Sequence, residues 1–273
     1  MYEKYSVLMS VYYKENPRYL QESIDSMLNQ TIKPDQIVMV KDGPLTNELE
    51  EVLNKYEMEF PNIFECVTLE ENKGLGVALN IGLKRCRNNL VARMDTDDIS
   101  KPYRCERQLN EFKMNKKLGI VGCTVEEFIE DKNKIVSKRV LPEEHNEICK
   151  FATRRNPFNH PTVMFKKELI KAVGGYKELH FFEDYFLWIR MLHKGIESKN
   201  IQEGLLLMRV NNELYSRRGG MNYFINSIRL RIIMYRMKFS SCKDLLIGVV
   251  GHGIVCLLPN RIRKKIYINL LRK

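Results

Sequence analysis

The sequence contains no C-x-x-C pair, no G-x-G-x-x-G, a single tryptophan, and no internal repeat or low-complexity tract. Seven cysteines (66, 86, 105, 123, 149, 242 and 256) are scattered and odd in number, which excludes a disulfide framework or a zinc cage and predicts reduced thiols. The missing repeat excludes a solenoid or propeller. The first apolar run, in MYEKYSVLMSVYY, has no small-residue cleavage site after it, so it reads as a core strand and not a signal peptide. With nothing directing export, a cytoplasmic protein is expected. The most apolar later stretch, LLIGVVGHGIVCLL at 245 to 258, has fourteen residues and contains His252 and three glycines, too short to cross a bilayer comfortably.

What is present is enough apolar material for a sizeable core. With 273 residues and 44% hydrophobic content, one large domain, alone or with an appendage, is the expectation. Forty-five Lys and Arg against 34 Asp and Glu give a net charge of +11, which calls for an anionic partner: nucleic acid, a phosphorylated ligand or a membrane surface. Much of the excess follows residue 217 and no aromatic–basic interleaving runs across a sheet. That pattern suits a membrane edge better than a nucleic-acid surface, and no nucleic-acid partner is expected.

From Tyr5 to Met94, short apolar runs alternate with amphipathic stretches, as in a mostly parallel α/β sheet. Four strands are predicted at 6 to 11, 36 to 40, 63 to 69 and 90 to 94. Helices are predicted from Pro17, with Leu20, Ile24, Met27 and Leu28 on one face, from about Asn47 to Tyr56, and from about Leu75 to Arg85 after the glycine-rich NKGLG. A Rossmann-like, doubly wound sheet flanked by helices follows. After Met94 the order loosens into a helix (102 to 115), a hairpin (119 to 141) and a mixed region through Val210 with a helix at 182 to 193. The chain divides at about residue 220, with halves of 1 to 100 and 101 to 220 before a basic helical extension, 221 to 273. That extension either lies on an anionic membrane, helped by Arg261, Arg263, Lys264, Lys265, Arg272 and Lys273, or packs on the domain with a solvated basic face.

Ligands of such sheets bind beyond the carboxyl ends of strands. There the chain places SVYYKEN, KDGP, EENKGLG and MDTDD. Without a glycine-rich phosphate loop after the first strand, something else must neutralise phosphates, and MDTDD can: carboxylates one residue apart can hold a divalent cation that grips a diphosphate. Mg²⁺ or Mn²⁺ suits these hard oxygen ligands. The bland alternative is an acidic loop or helix cap. Asp42 either accepts a hydrogen bond from a base imide or makes a D-G turn, and Tyr12 or Tyr13 either stacks on the base or is a half-buried sheet residue.

Together, SVLMSVYYKENPRYLQESIDSMLNQT, VMVKDGP, NKGLGVALNIGL and RMDTDDIS resemble the nucleotide-binding half of family 2 inverting glycosyltransferases, which have the GT-A fold. NPFNHPTVMFKKELIKAVGGY and FFEDYFLWIRM resemble the acceptor half of the bacterial branch that builds capsule and O-antigen repeats. The resemblance covers about residues 5 to 220. It implies that Ser10, Tyr12 and Glu15 line the nucleoside pocket, with Asp42 reading the base. It also puts Lys73 and Gly74 in a segment closing over the nucleotide, Asp95 and Thr96 beside the donor, and Asp97 as the principal metal ligand with Asp95 near it. Asp98 is a further helper.

The resemblance makes Asp184 the general base, supported by Glu183, for attack of an acceptor hydroxyl on a UDP-sugar. It implies a polyprenyl-diphosphate-linked saccharide acceptor at the inner face of the cytoplasmic membrane. On the residues alone, Glu183 and Asp184 also read as an acidic pair at a helix N-terminus. Trp188, one turn on, faces the site or the core; His160 orients a donor phosphate or acceptor hydroxyl or is a satisfied structural residue. Arg217, in YSRRGG, folds over a diphosphate or is a solvated connector. Two other classes compete: a metal-dependent nucleotidyltransferase, which needs a basic glycine-rich loop that is missing after the first strand, and a nucleic-acid-binding protein.

Overall fold

A computed structural model describes residues 2–210 and 219–257, apart from the side chains of His252 and of 254–257. Arg217 and the basic residues from Arg261 onward, on which two sequence expectations fall, lie outside the described residues. The first half runs β1 (Tyr5–Val11), α1 (Pro17–Leu28), β2 (Gln36–Lys41), α2 (Asn47–Glu59), β3 (Phe64–Thr68), α3 (Leu75–Arg85) and β4 (Leu90–Arg93). These strands alternate between two cores. Val7, Met9 and Val11 of β1, with Ile37 and Met39 of β2, face a cluster that includes Leu20, Ile24 and Met27 of α1. Leu8, Val38 and Val40 point the opposite way, toward Ala78, Leu79 and Leu83 of α3. Because both faces are covered, the strands read as near-continuous apolar runs. Pro17 opens α1 behind Asn16, whose side chain accepts from the Arg18 and Tyr19 amides, and Thr46 caps α2.

The second half adds β5 (Ile99–Ser100), α4 (Arg104–Met114), β6 (Leu118–Phe128), β7 (Ser137–Arg139), α5 (His145–Ala152), β8 (Met164–Lys166), α6 (Lys167–Ala172), α7 (Glu183–His193) and β9 (Glu197–Arg209). Two further helices follow, α8 (Met221–Arg236) and α9 (Cys242–Leu257). One sheet carries both halves in the order β3-β2-β1-β4-β8-β6-β9-β5, with β7 on the flank of β6. The β3-β2-β1-β4 portion is parallel. Strand β8 enters antiparallel between β4 and β6 and joins the two halves into one surface.

The predicted hairpin at 119 to 141 is β6 and β7. Strands β8 and β9 were not legible. The former has three residues, and the latter begins with the polar ESKN and is broken by register shifts against β6 near Gly204. The C-terminal helices are part of the body through residue 257: Leu230 and Met234 of α8 join the core that holds Trp188. Arg231 donates from Nη2 to the Arg154 carbonyl at 3.0 Å, and Asp244 of α9 pairs with Arg154 at 2.7 Å. Among the described residues no helix is long and apolar enough to cross a membrane.

Candidate active site

The parallel register brings the loops after β1, β2 and β4 to one edge of the sheet, on either side of the point where strand order reverses between β1 and β4. The Asp42 amide donates to the Val11 carbonyl and the Met94 amide to the Leu8 carbonyl, so KDGP, SVYYKEN and MDTDD emerge side by side. Asp42 is buried, and its carboxylate accepts from the Lys73 amide (2.7 Å, Oδ1) and the Gly74 amide (3.0 Å, Oδ2). It therefore fixes the NKGLG segment that starts α3. Gly74 sits at φ +84°, which glycine alone adopts without strain, and Lys73 is exposed. Beside them, Ser10, Tyr12 and Glu15 are half-buried, while Tyr13 is exposed and edge-on to Tyr12 at 5.8 Å.

The acidic loop is held from three directions. Ser23 of α1 donates to the Asp95 carbonyl (2.7 Å), Ser26 accepts from the Ser100 amide (3.0 Å), and Gln30 donates to the Lys101 carbonyl (2.9 Å). Ser23 and Ser26 lie on the buried side of α1 and Gln30 just beyond its end, a polar spacing that the sequence shows but that was not read as a support for the loop. From below, the fully buried Arg93 pairs its guanidinium with Asp95. From the far edge, Arg209 at the end of β9 donates its amide to Asp98 Oδ1 (3.0 Å) and its Nε to the Asp97 carbonyl (3.2 Å). Its guanidinium pairs with Glu22 (2.6 Å) and lies over the rings of Tyr19 (3.7 Å) and Phe128 (4.7 Å). Such a planar group, stacked on two rings and hydrogen-bonded to two partners, is a rigid brace.

Burial first, then the charge of Asp95, pushes the Asp97 carboxyl up to about 6. Burial, then the charge of Asp97, also holds the enclosed Asp98 carboxyl well above the usual carboxylate range. Crowded carboxylates that resist ionisation are a site that a cation would relieve. Among the described residues no three His, Cys, Asp or Glu side chains are arranged to hold a metal. The donor set present, Asp95 and Asp97, fits an ion held by one or two carboxylates with phosphate oxygens completing its shell. Thr96 is buried, so it shapes the loop and does not line its opening.

Opposite stands the N-terminus of α7, with Glu183 and Asp184 in its first turn. Asn156 donates from Nδ2 to Asp184 Oδ2 at 2.7 Å and orients the carboxylate. A Cβ on Gly76 of α3 would lie 3.5 Å from the Glu183 Cγ and 3.6 Å from the Tyr176 Cβ, which sets the donor-side helix directly against this turn. Asn80 of α3 grips Tyr176 by both backbone groups, accepting from its amide at 2.8 Å and donating to its carbonyl at 2.7 Å. The Tyr176 hydroxyl meets His160 Nε2 at 3.0 Å. Burial raises the Tyr176 pKa, and the charges of Arg93, Asp184 and Asp95 all reach its hydroxyl. Burial, then Arg93, holds His160 well below the usual imidazole value, so it is neutral at pH 7. Burial raises the Glu183 carboxyl, and Asp184 adds to that rise.

Trp188 does not line this space. It is fully buried, between Phe158, His160 and Phe165, and supports His160 from behind because its helix turns that face into the core. Sequence reasoning did not find Arg93, whose partner Asp95 is only two residues away, nor Asn80, Asn156, Tyr176 and Arg209, which act through partners far away in the chain. Next to Asn156, a cleft of about 800 Å³ opens between α5 and the start of α9, lined by Lys150, Phe151, Arg154, Arg155, Glu147 and Asp244 among others.

Acidic loop, capped α3 turn and acidic α7 turn thus face one another across the carboxyl edge of a mostly parallel sheet. That is the arrangement of a transferase which handles an activated, phosphate-bearing donor on one side and an acceptor on the other. Residues 6–174 match the family model "Glycosyl transferase family 2", and the chain belongs to that family. It is 39% identical over 271 residues (99% of this chain, 97% of the relative) to the UDP-Gal:alpha-D-GlcNAc-diphosphoundecaprenol beta-1,3-galactosyltransferase of Escherichia coli. It is 38% identical over 86% of both chains to the amylovoran biosynthesis glycosyltransferase AmsE of Erwinia amylovora. The structure of S. aureus TarS 1-349 in complex with UDP has the same GT-A fold, with a TM-score of 0.67 and 15% identity over 96% of this chain and 77% of that one.

Proposed function

We propose that this glycosyltransferase moves a sugar from a UDP-sugar to a saccharide carried on a polyprenyl diphosphate, with inversion, in the assembly of a surface polysaccharide. The full-length likeness to a transferase whose name specifies such a donor and acceptor supports the substrates. The observation that carries the chemistry is the acidic first turn of α7, with Asp184 oriented by Asn156, set directly against the donor-side helix α3 at Gly76. An acceptor hydroxyl is a poor nucleophile until its proton is withdrawn, and Asp184 takes it as the new bond forms. Asp95 and Asp97 would hold a divalent cation, Mg²⁺ or Mn²⁺, whose charge would offset that developing on the departing diphosphate. Ser10, Tyr12 and Glu15 bind the nucleoside, and Asp42, through its hold on the Lys73 and Gly74 amides, sets the segment that closes over it. Displacement in one step turns an α-linked donor into a β-linked product.

The reading is tested by incubating the chain with a panel of UDP-sugars and a synthetic N-acetylglucosaminyl-diphosphate-lipid, with and without Mn²⁺. Expected are one β-linked product, loss of transfer on chelation, and a selective thermal shift with one donor. Transfer that persists undiminished in excess chelator would remove the metal from the scheme.

The acceptor's lipid brings the enzyme to the cytoplasmic face of the membrane. Helix α9 turns Leu246, Ile247 and Val250 outward, and the basic tail beyond it would favour anionic headgroups. In sedimentation with anionic vesicles, Leu246→Asp combined with Val250→Asp is expected to partition several-fold less than the native chain. Equal partitioning would defeat this assignment.

A further inference from the structure

Two phenylalanines precede the acidic pair of α7, and they part company. Phe182 is 5% exposed and anchors inward against Tyr223 at 4.9 Å, whereas Phe181 remains 38% exposed. The separation is produced by the backbone: Phe181 has φ +71°, a left-handed conformation that a bulky residue adopts only when its surroundings impose it. Those surroundings are identifiable. The Phe182 amide donates to the Leu179 carbonyl at 2.8 Å, which closes the turn, and the Phe181 ring is braced by His180 (3.9 Å) and by Tyr223 of α8 (5.3 Å). The fold therefore accepts strain to hold an aromatic ring in the open, three residues before Asp184. Strain of this kind concentrates where geometry serves a ligand.

The side on which the ring stands identifies the ligand. Glu183 leans on α3 and faces the donor loop, as its approach to Gly76 records. Phe181 instead leans on Tyr223 of α8, the helix whose Arg231 reaches the carbonyl of Arg154, a residue that lines the cleft beside α5. A partly open aromatic face near a general base suits a ring that is apolar on its faces and polar at its rim, which describes a pyranose.

We propose that Phe181 is the stacking platform for the acceptor's terminal sugar, setting its attacking hydroxyl against Asp184. The inference rests on the glycosyl-transfer reading above and adds to it the subsite that positions the acceptor. Tyr223 buttresses the platform, so the C-terminal helices shape acceptor recognition as well as any contact with lipid.

The test compares Phe181→Gly and Phe181→Asn, which tolerate positive φ without supplying a ring, with Phe181→Tyr and Phe181→Trp, which keep one. Initial rates are measured against the synthetic N-acetylglucosaminyl-diphosphate-lipid and against the UDP-sugar that the native chain uses. UDP release without acceptor and the melting temperature are followed in parallel. The ringless variants are expected to raise acceptor KM about tenfold, the equivalent of one lost aromatic contact. Donor KM and acceptor-free UDP release should stay at native values, with a melting temperature equal to the native one or higher because strain is relieved. The aromatic variants should keep acceptor KM within about twofold. An unchanged acceptor KM in both ringless variants overturns the platform, as does a donor KM that rises in parallel. Failure of the native chain to transfer sugar to any saccharide acceptor would instead overturn the reading beneath it.

Discussion

Asp184→Asn is expected to lower turnover by about 10²–10⁴-fold, the usual contribution of a positioned general base, while UDP-sugar binding stays at its native level. Asparagine has the shape of aspartate and can turn its carbonyl oxygen toward the Asn156 amide that now donates to Asp184 Oδ2. The local fold should therefore persist. What disappears is the ability to take a proton, together with a negative charge favourable at a helix N-terminus by roughly 0.3–1 kcal/mol. That stability loss is too small to unfold the chain, so a combined readout separates the effects: single-turnover transfer for chemistry, calorimetric titration with UDP-sugar for binding. Near-native turnover in this variant would show that another group receives the proton. A parallel loss of donor affinity would show that Asp184 belongs to the donor side.

The second large effect is expected at Asp97. Its replacement by alanine should weaken Mn²⁺-dependent donor binding about 100-fold or more, because a cation that neutralises a diphosphate is worth several kcal/mol. The same change should not weaken the fold at neutral pH. Burial and Asp95 raise this carboxyl from its ordinary 3.8 to about 6, so the folded state disfavours its ionised form. The sign follows: the penalty is absent below the ordinary value, grows between the two, and is fully present at pH 7. Removing the carboxyl should therefore leave the melting temperature at pH 7 equal or higher, with the advantage shrinking as pH falls toward 4. Titration with UDP-sugar at fixed Mn²⁺, paired with melting curves at both pH values, checks the two halves together. A variant that binds donor normally would show that the cation, if used, rests elsewhere.

Several elements were legible because they depend on short stretches of chain. The third helix, predicted at about Leu75 to Arg85, runs Leu75–Arg85, and the first four strands lie within a residue or two of their apolar runs. The acidic loop could be placed because a parallel strand must end where ligands bind, and MDTDD follows such a strand. Trp188 shows the limit of that reasoning. One helical turn from Asp184, its sequence position fits the site or the core alike, and only the packing of Phe158 and Phe165 around it decides for the core. Asp42 is a similar case: its buried carboxylate is committed to the first amides of α3, a use that a D-G dipeptide does not announce.

Sequence alone determined the mostly parallel first half, its helices, and the strand-end positions of Asp42 and the Asp95–Asp97 loop, since hydrophobic period and chain direction are local properties. The tertiary structure alone decided that Arg209 reaches back 112 residues to the Asp97 carbonyl, that Asn80 holds Tyr176 across 96 residues, and that Asn156 meets Asp184. It alone decided that Phe181, three residues before Asp184, is partly exposed and leaned on a helix forty residues later in the chain. The reason is physical: each of these contacts is made by side chains whose meeting depends on how separate layers pack on the sheet, and no local pattern in a single segment records where the other segment will lie.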